Sequence, residues 1–148
     1  MSEERPLLAR DIMVSDPVTV NPETTVYQIA KIMAEKDIGS VIVVENNKVV
    51  GIVTEEDLIR RVLAEGRDPN RTRAGDIMSR PVVYVSPDAE VKEVALLMAR
   101  LGIGHIPVID GNRLVGIIAE YDIIRLTPDL IELLYVKGKL GSPPVELE

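Results

Sequence analysis

The residues best suited to chemistry are Thr54, Glu55, Glu56 and Asp57, a hydroxyl followed by three carboxylates where a hydrophobic segment gives way to helical spacing. A carboxylate there can accept hydrogen bonds from both hydroxyls of a ribose, and paired carboxylates can also do acid–base work or hold Mg²⁺. The same pattern has a plainer use. Thr at an N-cap with Asp three residues on satisfies free amides at a helix start, and acids in a first turn suit the helix dipole. Asp122 holds the corresponding place about 65 residues later, behind Ala119, which has no hydroxyl to cap with. A carboxylate kept where the capping hydroxyl is missing favours a ligand role for Asp57 and Asp122.

Other chemistries find little support. The chain has no cysteine and a single histidine, His105, so thiolate catalysis, disulfides and a two-histidine metal motif are excluded. No Gly-rich phosphate loop ends in Lys-Ser or Lys-Thr, and no Ser/His/Asp set stands in a recognisable context. The chain therefore reads as a non-enzyme. A formal charge of −7 opposes a nucleic-acid footprint, which leans on many Lys and Arg contacts to phosphate. No apolar run approaches the roughly 18 residues of a membrane span, and the first residues lack the basic and apolar parts of a signal peptide. A cytoplasmic location is expected.

The elements that position these residues occur twice. Asp11-Ile12-Met13 returns as Asp76-Ile77-Met78, and Val50-Gly51-Ile52-Val53 returns as Val115-Gly116-Ile117-Ile118. The copies align without a gap from Val20 and Val85 onward, with roughly two positions in five identical. With 148 residues, 46% of them hydrophobic, the chain suits one compact domain or two half-domains sharing a core. Each copy reads as strand, helix, strand, strand, helix. Spacing predicts helices over Val26 to Lys36, Glu55 to Glu65, Val91 to Leu101 and a shorter one from Glu120, with hairpins turning at Asn46-Asn47 and Gly111-Asn112. The boundaries expected are 8–66 for the first repeat, 67–75 for a basic linker, 76–127 for the second repeat and 128–148 for a C-terminal helix and tail.

Taken in register, these motifs resemble a tandem pair of cystathionine-β-synthase (CBS) domains, a Bateman module. The closing Gly-hydrophobic-hydrophobic-Thr-x-x-Asp and Ile103-Gly104-His105-Ile106-Pro107-Val108 carry the likeness, from about Asp11 to Thr127. The resemblance implies an α+β fold in which two βαββα repeats pack sheet against sheet around a pseudo-two-fold axis, with clefts for adenine nucleotides. It implies that Asp57 and Asp122 bind ribose, that Thr54 assists, and that backbone groups of Ser40, Val41 and Ile42 and of His105, Ile106 and Pro107 read the base. By position, His105 resembles residues that approach ligand phosphates. Ala119, and Ile42 in place of a proline, depart from the family pattern. The ligands implied are AMP, ADP, ATP or an S-adenosylmethionine-type molecule, with no required cofactor and Mg²⁺ only if it accompanies ATP. The role implied is regulatory, through an unidentified partner protein, with a homodimer formed by helices such as the apolar Ala95 to Ala99. The alternatives are a ligand-free structural homodimerisation module and a nucleic-acid binder, the latter opposed by the acidic balance.

Overall fold

The computed structural model describes residues 5–128, an α+β arrangement of two repeats that each combine a small sheet with helices. The C-terminal helix and tail expected beyond Pro128 lie outside the described residues. In chain order the elements are α1 (Ala9–Ile12), β1 (Val14–Ser15), β2 (Thr19–Val20), α2 (Val26–Lys36), β3 (Ser40–Glu45), β4 (Lys48–Thr54) and α3 (Glu55–Asp57). A π-helical stretch over Leu58–Leu63 follows, then α4 (Ala74–Ile77), α5 (Val91–Leu101), β5 (His105–Asp110), β6 (Arg113–Ala119) and α6 (Glu120–Leu126).

The two long helices have the bounds expected from spacing. At the start of α2, Thr25 accepts from the Gln28 amide at 3.2 Å and Gln28 reaches back to the Thr25 amide at 3.3 Å, a reciprocal capping box. α2 stops at Asp37 and α5 at Gly102, both left-handed, with φ of 54° and 66°. The next amide, Ile38 or Ile103, then folds back to Met33 or Met98. The hairpins also turn as expected. Asn46 and Asn47 both take positive φ, whereas the second hairpin uses Gly111 at 63°.

Each sheet has three strands, ordered β2-β3-β4 and β1-β6-β5. β2 runs parallel to β3 with α2 as the crossover, and β3 pairs antiparallel with β4. The first strand expected in the second copy is reduced to one parallel bridge, Val85 with Val108. That bridge has the register of Val20 with Val43, shifted by one repeat.

Contacts divide the chain differently from the sequence repeat. One unit is Asp16–Val83; the other joins described residues 5–15 to 84–128. Each unit thus takes the segment that precedes the opposite repeat. In one, Val14 pairs with Ile117 and Ser15 with Gly116; in the other, Ser79 pairs with Ile52, the same register. The core of each unit includes the Ala and Ile of the incoming helix, Ala9 and Ile12 or Ala74 and Ile77. The amides of Ala9 and Ala74 donate to the carbonyls of Ala89 and Thr24 at 2.7 and 2.8 Å. The Asp-Ile-Met motif thereby gains a structural meaning. Its aspartate accepts the amide three residues back at 2.8 Å in both copies, its isoleucine is buried, and its methionine covers a glycine of the hairpin.

One expectation requires correction. The segment expected as a helix over Glu55 to Glu65 is α-helical only at Glu55–Asp57 and then widens into the π form, with Ala64 donating to Ile59 and Arg67 to Val62. The wider winding rotates successive residues less than an α-helix does, so Val62 is buried and Leu58 half-buried while Ile59 and Leu63 are exposed. The segment expected as a basic linker lies between the repeats and makes backbone contacts to α2. The carbonyls of Thr72 and Pro69 accept the first amides of α2, Val26 and Tyr27, at 2.9 and 3.1 Å. A helix start needs acceptors for its free amides, and this segment supplies two.

A Cβ on Gly51 would stand within 3.0 Å of Met78 Cβ and Cγ, and one on Gly116 would crowd Met13 in the same way. Gly51→Ala is expected to lower unfolding free energy by about 1–3 kcal/mol through overpacking. Urea melts will check this, with Met78→Ala added to Gly51→Ala restoring part of the loss at that position.

Candidate functional site

In the Asp16–Val83 unit, antiparallel pairing sets Ser40 opposite Thr54, Val41 opposite Val53 and Ile42 opposite Ile52. β4 ends at Thr54 and turns directly into α3, which places Asp57 one helical turn beyond the hairpin. The amide of Glu55 donates to the Gly39 carbonyl at 3.1 Å and locks that turn to the start of β3. Ser40, Thr54 and Asp57 are thus brought together by local pairing. In the other unit, His105 stands opposite Ala119, Ile106 opposite Ile118 and Pro107 opposite Ile117, with Glu120 donating to Gly104 at 2.8 Å. His105, Ala119 and Asp122 form the same cluster in the second copy.

The aspartates do the capping that sequence chemistry allowed. Asp57 Oδ2 accepts the Thr54 amide at 2.9 Å and the Thr54 hydroxyl at 3.2 Å, and the hydroxyl accepts the Asp57 amide at 3.4 Å. Asp122 Oδ2 accepts the Ala119 amide at 2.9 Å. Half of a capping box therefore survives without the hydroxyl, so Ala119 does not by itself argue for a ligand at Asp122. Asp11 and Asp76 make the same backbone bond at α1 and α4 as exposed residues, whereas Asp57 and Asp122 are buried; by side chain alone Asp11 is 21% exposed, against 10% and 11% for Asp57 and Asp122. Capping alone does not call for that burial.

Three residues that sequence reasoning missed complete the surroundings. Ser79 Oγ donates to Asp57 Oδ1 at 3.3 Å, and Arg61 Nε lies 3.6 Å from the same oxygen. Arg61 Nη1 also donates to the Ile77 carbonyl at 2.9 Å. Asp122 Oδ1 has Arg125 Nη2 at 3.8 Å. The arginines were legible as i+4 and i+3 partners on a helical ladder. Ser79 was not, because 22 residues separate it from Asp57.

The residues expected to read a base are mainly interior. Val41, Ile42 and Ile106 are fully buried, Ser40 and Pro107 are buried, and His105 is half-buried. Ile42 donates its amide to Val18 at 3.1 Å, so that group belongs to the sheet. Pro107 has no amide at the same place; its carbonyl accepts from Val85 at 3.1 Å. Two cavities lie within the Asp16–Val83 unit. One, of about 760 Å³, runs along Thr19, Asn21, Gln28 and Lys31 and contains none of the expected site residues. The other, of about 510 Å³, is mainly apolar, lined by Ala30, Met33, Leu58, Ile59 and Leu63, with Gly39 and Glu55 at its border. Among the described residues no group of three or more His, Asp or Glu could hold a metal ion, and no helix is long and apolar enough to cross a membrane.

Comparison with known proteins agrees with the duplicated plan. The CBS domain family matches residues 9–64 and again 74–129, and the chain belongs to that family as a tandem CBS pair. It is 42% identical over 118 residues to the uncharacterized protein MK0525 of Methanopyrus kandleri, covering 78% of this chain and 60% of that protein's length. The hexameric CBS-CP12 protein from bloom-forming cyanobacteria superposes with a TM-score of 0.79 at 38% identity, over 88% of this chain and 77% of the other. The CBS domain pair of protein MJ0100, solved in complex with 5′-methylthioadenosine and S-adenosyl-L-methionine, superposes with a TM-score of 0.76 at 32% identity, over 84% and 98%.

The capping geometry sets a stability expectation distinct from any ligand. Thr54→Ala should lower unfolding free energy by roughly 1 kcal/mol, within the 0.5–2 kcal/mol seen when an N-cap hydroxyl is lost. Chemical denaturation without ligand will measure it, and an unchanged midpoint would contradict the cap.

Proposed function

We propose that this CBS pair senses an adenosyl ligand, AMP, ADP, ATP or an S-adenosylmethionine-type molecule, and passes its state to a partner protein as a regulator rather than a catalyst. The observation that carries this reading is the burial of Asp57 and Asp122 at equivalent places, beyond what the exposed capping aspartates Asp11 and Asp76 require. A nearly buried carboxylate with acceptor capacity left is suited to a vicinal diol, and hydrogen bonds to a charged acceptor are among the stronger ones. The MJ0100 CBS pair, with two adenosyl compounds bound, is a precedent at 32% identity. His105 is the proposed phosphate neighbour, Mg²⁺ would enter only with ATP, and the cytoplasm is the proposed setting.

Isothermal titration of the purified protein with AMP, ATP and S-adenosylmethionine tests the reading. Saturable binding of at least one is expected, and Asp57→Ala or Asp122→Ala should weaken it roughly 10- to 100-fold if a charge-assisted contact of about 1.5–3 kcal/mol is lost. A folded protein that gives no heat with any of the three overturns it.

Self-association is a second reading with its own observation, on a different surface from the one expected. Ala95, Met98 and Ala99 of α5 are core residues, which removes most of that helix's apolar run from the surface. Ile59 and Leu63, 57% and 70% exposed, instead project beside the apolar 510 Å³ groove. Exposed apolar patches of this kind mark interaction sites, and the CBS-CP12 relative is described as hexameric. A homodimer through this face predicts that Leu63→Asp shifts the sedimentation coefficient to that of a monomer; a wild-type monomer at high concentration would dismiss it.

A further inference from the structure

The two aspartates are equally buried and make the same backbone bond, yet they differ in how much acceptor capacity remains. An ionised carboxylate offers about four lone-pair positions. At Asp57, the Thr54 amide and hydroxyl occupy Oδ2 and the Ser79 hydroxyl takes one position on Oδ1, which fills three of about four. Among the described residues, only the Ala119 amide is hydrogen-bonded to Asp122, and Arg125, at 3.8 Å, is an ion-pair neighbour rather than a donor. The cause lies in the residues themselves. Ala119 stands where the other copy has Thr54, and Val14, paired with Ile117, stands where Ser79 pairs with Ile52.

We infer that Ser79 is a specificity-determining residue: its hydroxyl competes with the ligand for Asp57 Oδ1, leaving Asp122 as the carboxylate able to accept both ribose hydroxyls. The inference rests on the adenosyl reading above and favours the copy in which Ala119 departs from the family pattern. Arg61 sharpens the competition. Its Nη1 is anchored on the Ile77 carbonyl while Nε faces Asp57 Oδ1, so the guanidinium ties that oxygen to the segment that carries Ser79. A diol can engage Asp57 fully only if the Ser79 hydroxyl turns away. At Asp122 no such displacement is required among the described residues.

The experiment isolates the Asp57 site in an Asp122→Ala background and asks what the Ser79 hydroxyl does to it. AMP, ATP and S-adenosylmethionine are titrated into wild type, Asp122→Ala, Asp122→Ala with Ser79→Val, and Asp122→Ala with Ser79→Ala, each checked for folding by thermal melt. Valine is the side chain already present at the equivalent register, and alanine is the second choice should valine disturb the strand bridge. Removing the hydroxyl should tighten the isolated site roughly 10-fold, the lower end expected for one released hydrogen bond to a charged acceptor. With AMP or ATP that gain should vanish for the 2′-deoxy nucleotide, a result that mere loosening of the fold would not produce. Unchanged or weaker binding in the folded Ser79 variants, with wild type binding normally, overturns the inference and leaves the adenosyl reading intact. No binding to folded wild type overturns both.

Discussion

The fit of a methionine over a glycine is the contact on which the rest of the structure depends. Met78 lies against Gly51 and Met13 against Gly116, so close that neither glycine has room for a Cβ without movement. That approach lets the strand-like residues after each methionine pair with the edge of a hairpin, Ser79 on Ile52 and Val14 on Ile117. It also lowers Ala74 and Ile77, or Ala9 and Ile12, into the core beneath. A sheet edge is a row of unpaired backbone groups, and covering it with a leader segment both satisfies those groups and adds apolar area to a core too small without it. Because each leader precedes the opposite repeat in sequence, a single repeat cut out as a continuous block would lack part of its own core.

The aspartates show one residue serving two purposes. A carboxylate at the third position of a short helix is useful wherever a strand turns into that helix, because it accepts an amide that has no other partner. All four equivalent places, Asp11, Asp57, Asp76 and Asp122, use it that way. Two of them are then enclosed by their surroundings, and a buried carboxylate is costly unless its remaining capacity is met. Substituting Asp57 or Asp122 therefore removes structure as well as any ligand contact, and affinity and stability have to be measured together.

Duplication preserved the scaffold and let the details diverge. The long helices, hairpin register, bulge position and core pattern repeat from one copy to the other. Ser79 against Val14, Thr54 against Ala119, and the π-helical Leu58–Leu63 against the α-helical Glu120–Leu126 do not. A π stretch within a helix is uncommon and often accompanies function. Here it leaves Ile59 and Leu63 in solvent and directs Arg61 toward Asp57 and the Ile77 carbonyl. The copies are thus alike where backbone pairing governs and different in the side chains that surround Asp57 and Asp122.

Local interactions were readable directly from the residues. The bounds of α2 and α5, the hairpin turns at Asn46-Asn47 and Gly111, and the Thr54–Asp57 cap all depend on neighbours a few positions apart, and periodicity and turn chemistry report such contacts. Duplication was equally plain, and with it the CBS pair. The tertiary structure alone decided which leader completes which sheet, why Asp-Ile-Met occurs twice, and how Ser79 reaches Asp57. Those contacts join residues 22 or more positions apart, as between Ser79 and Asp57 or Val14 and Ile117. Whether such segments meet is set by how the packed core closes, and no local pattern of residue types encodes that closure.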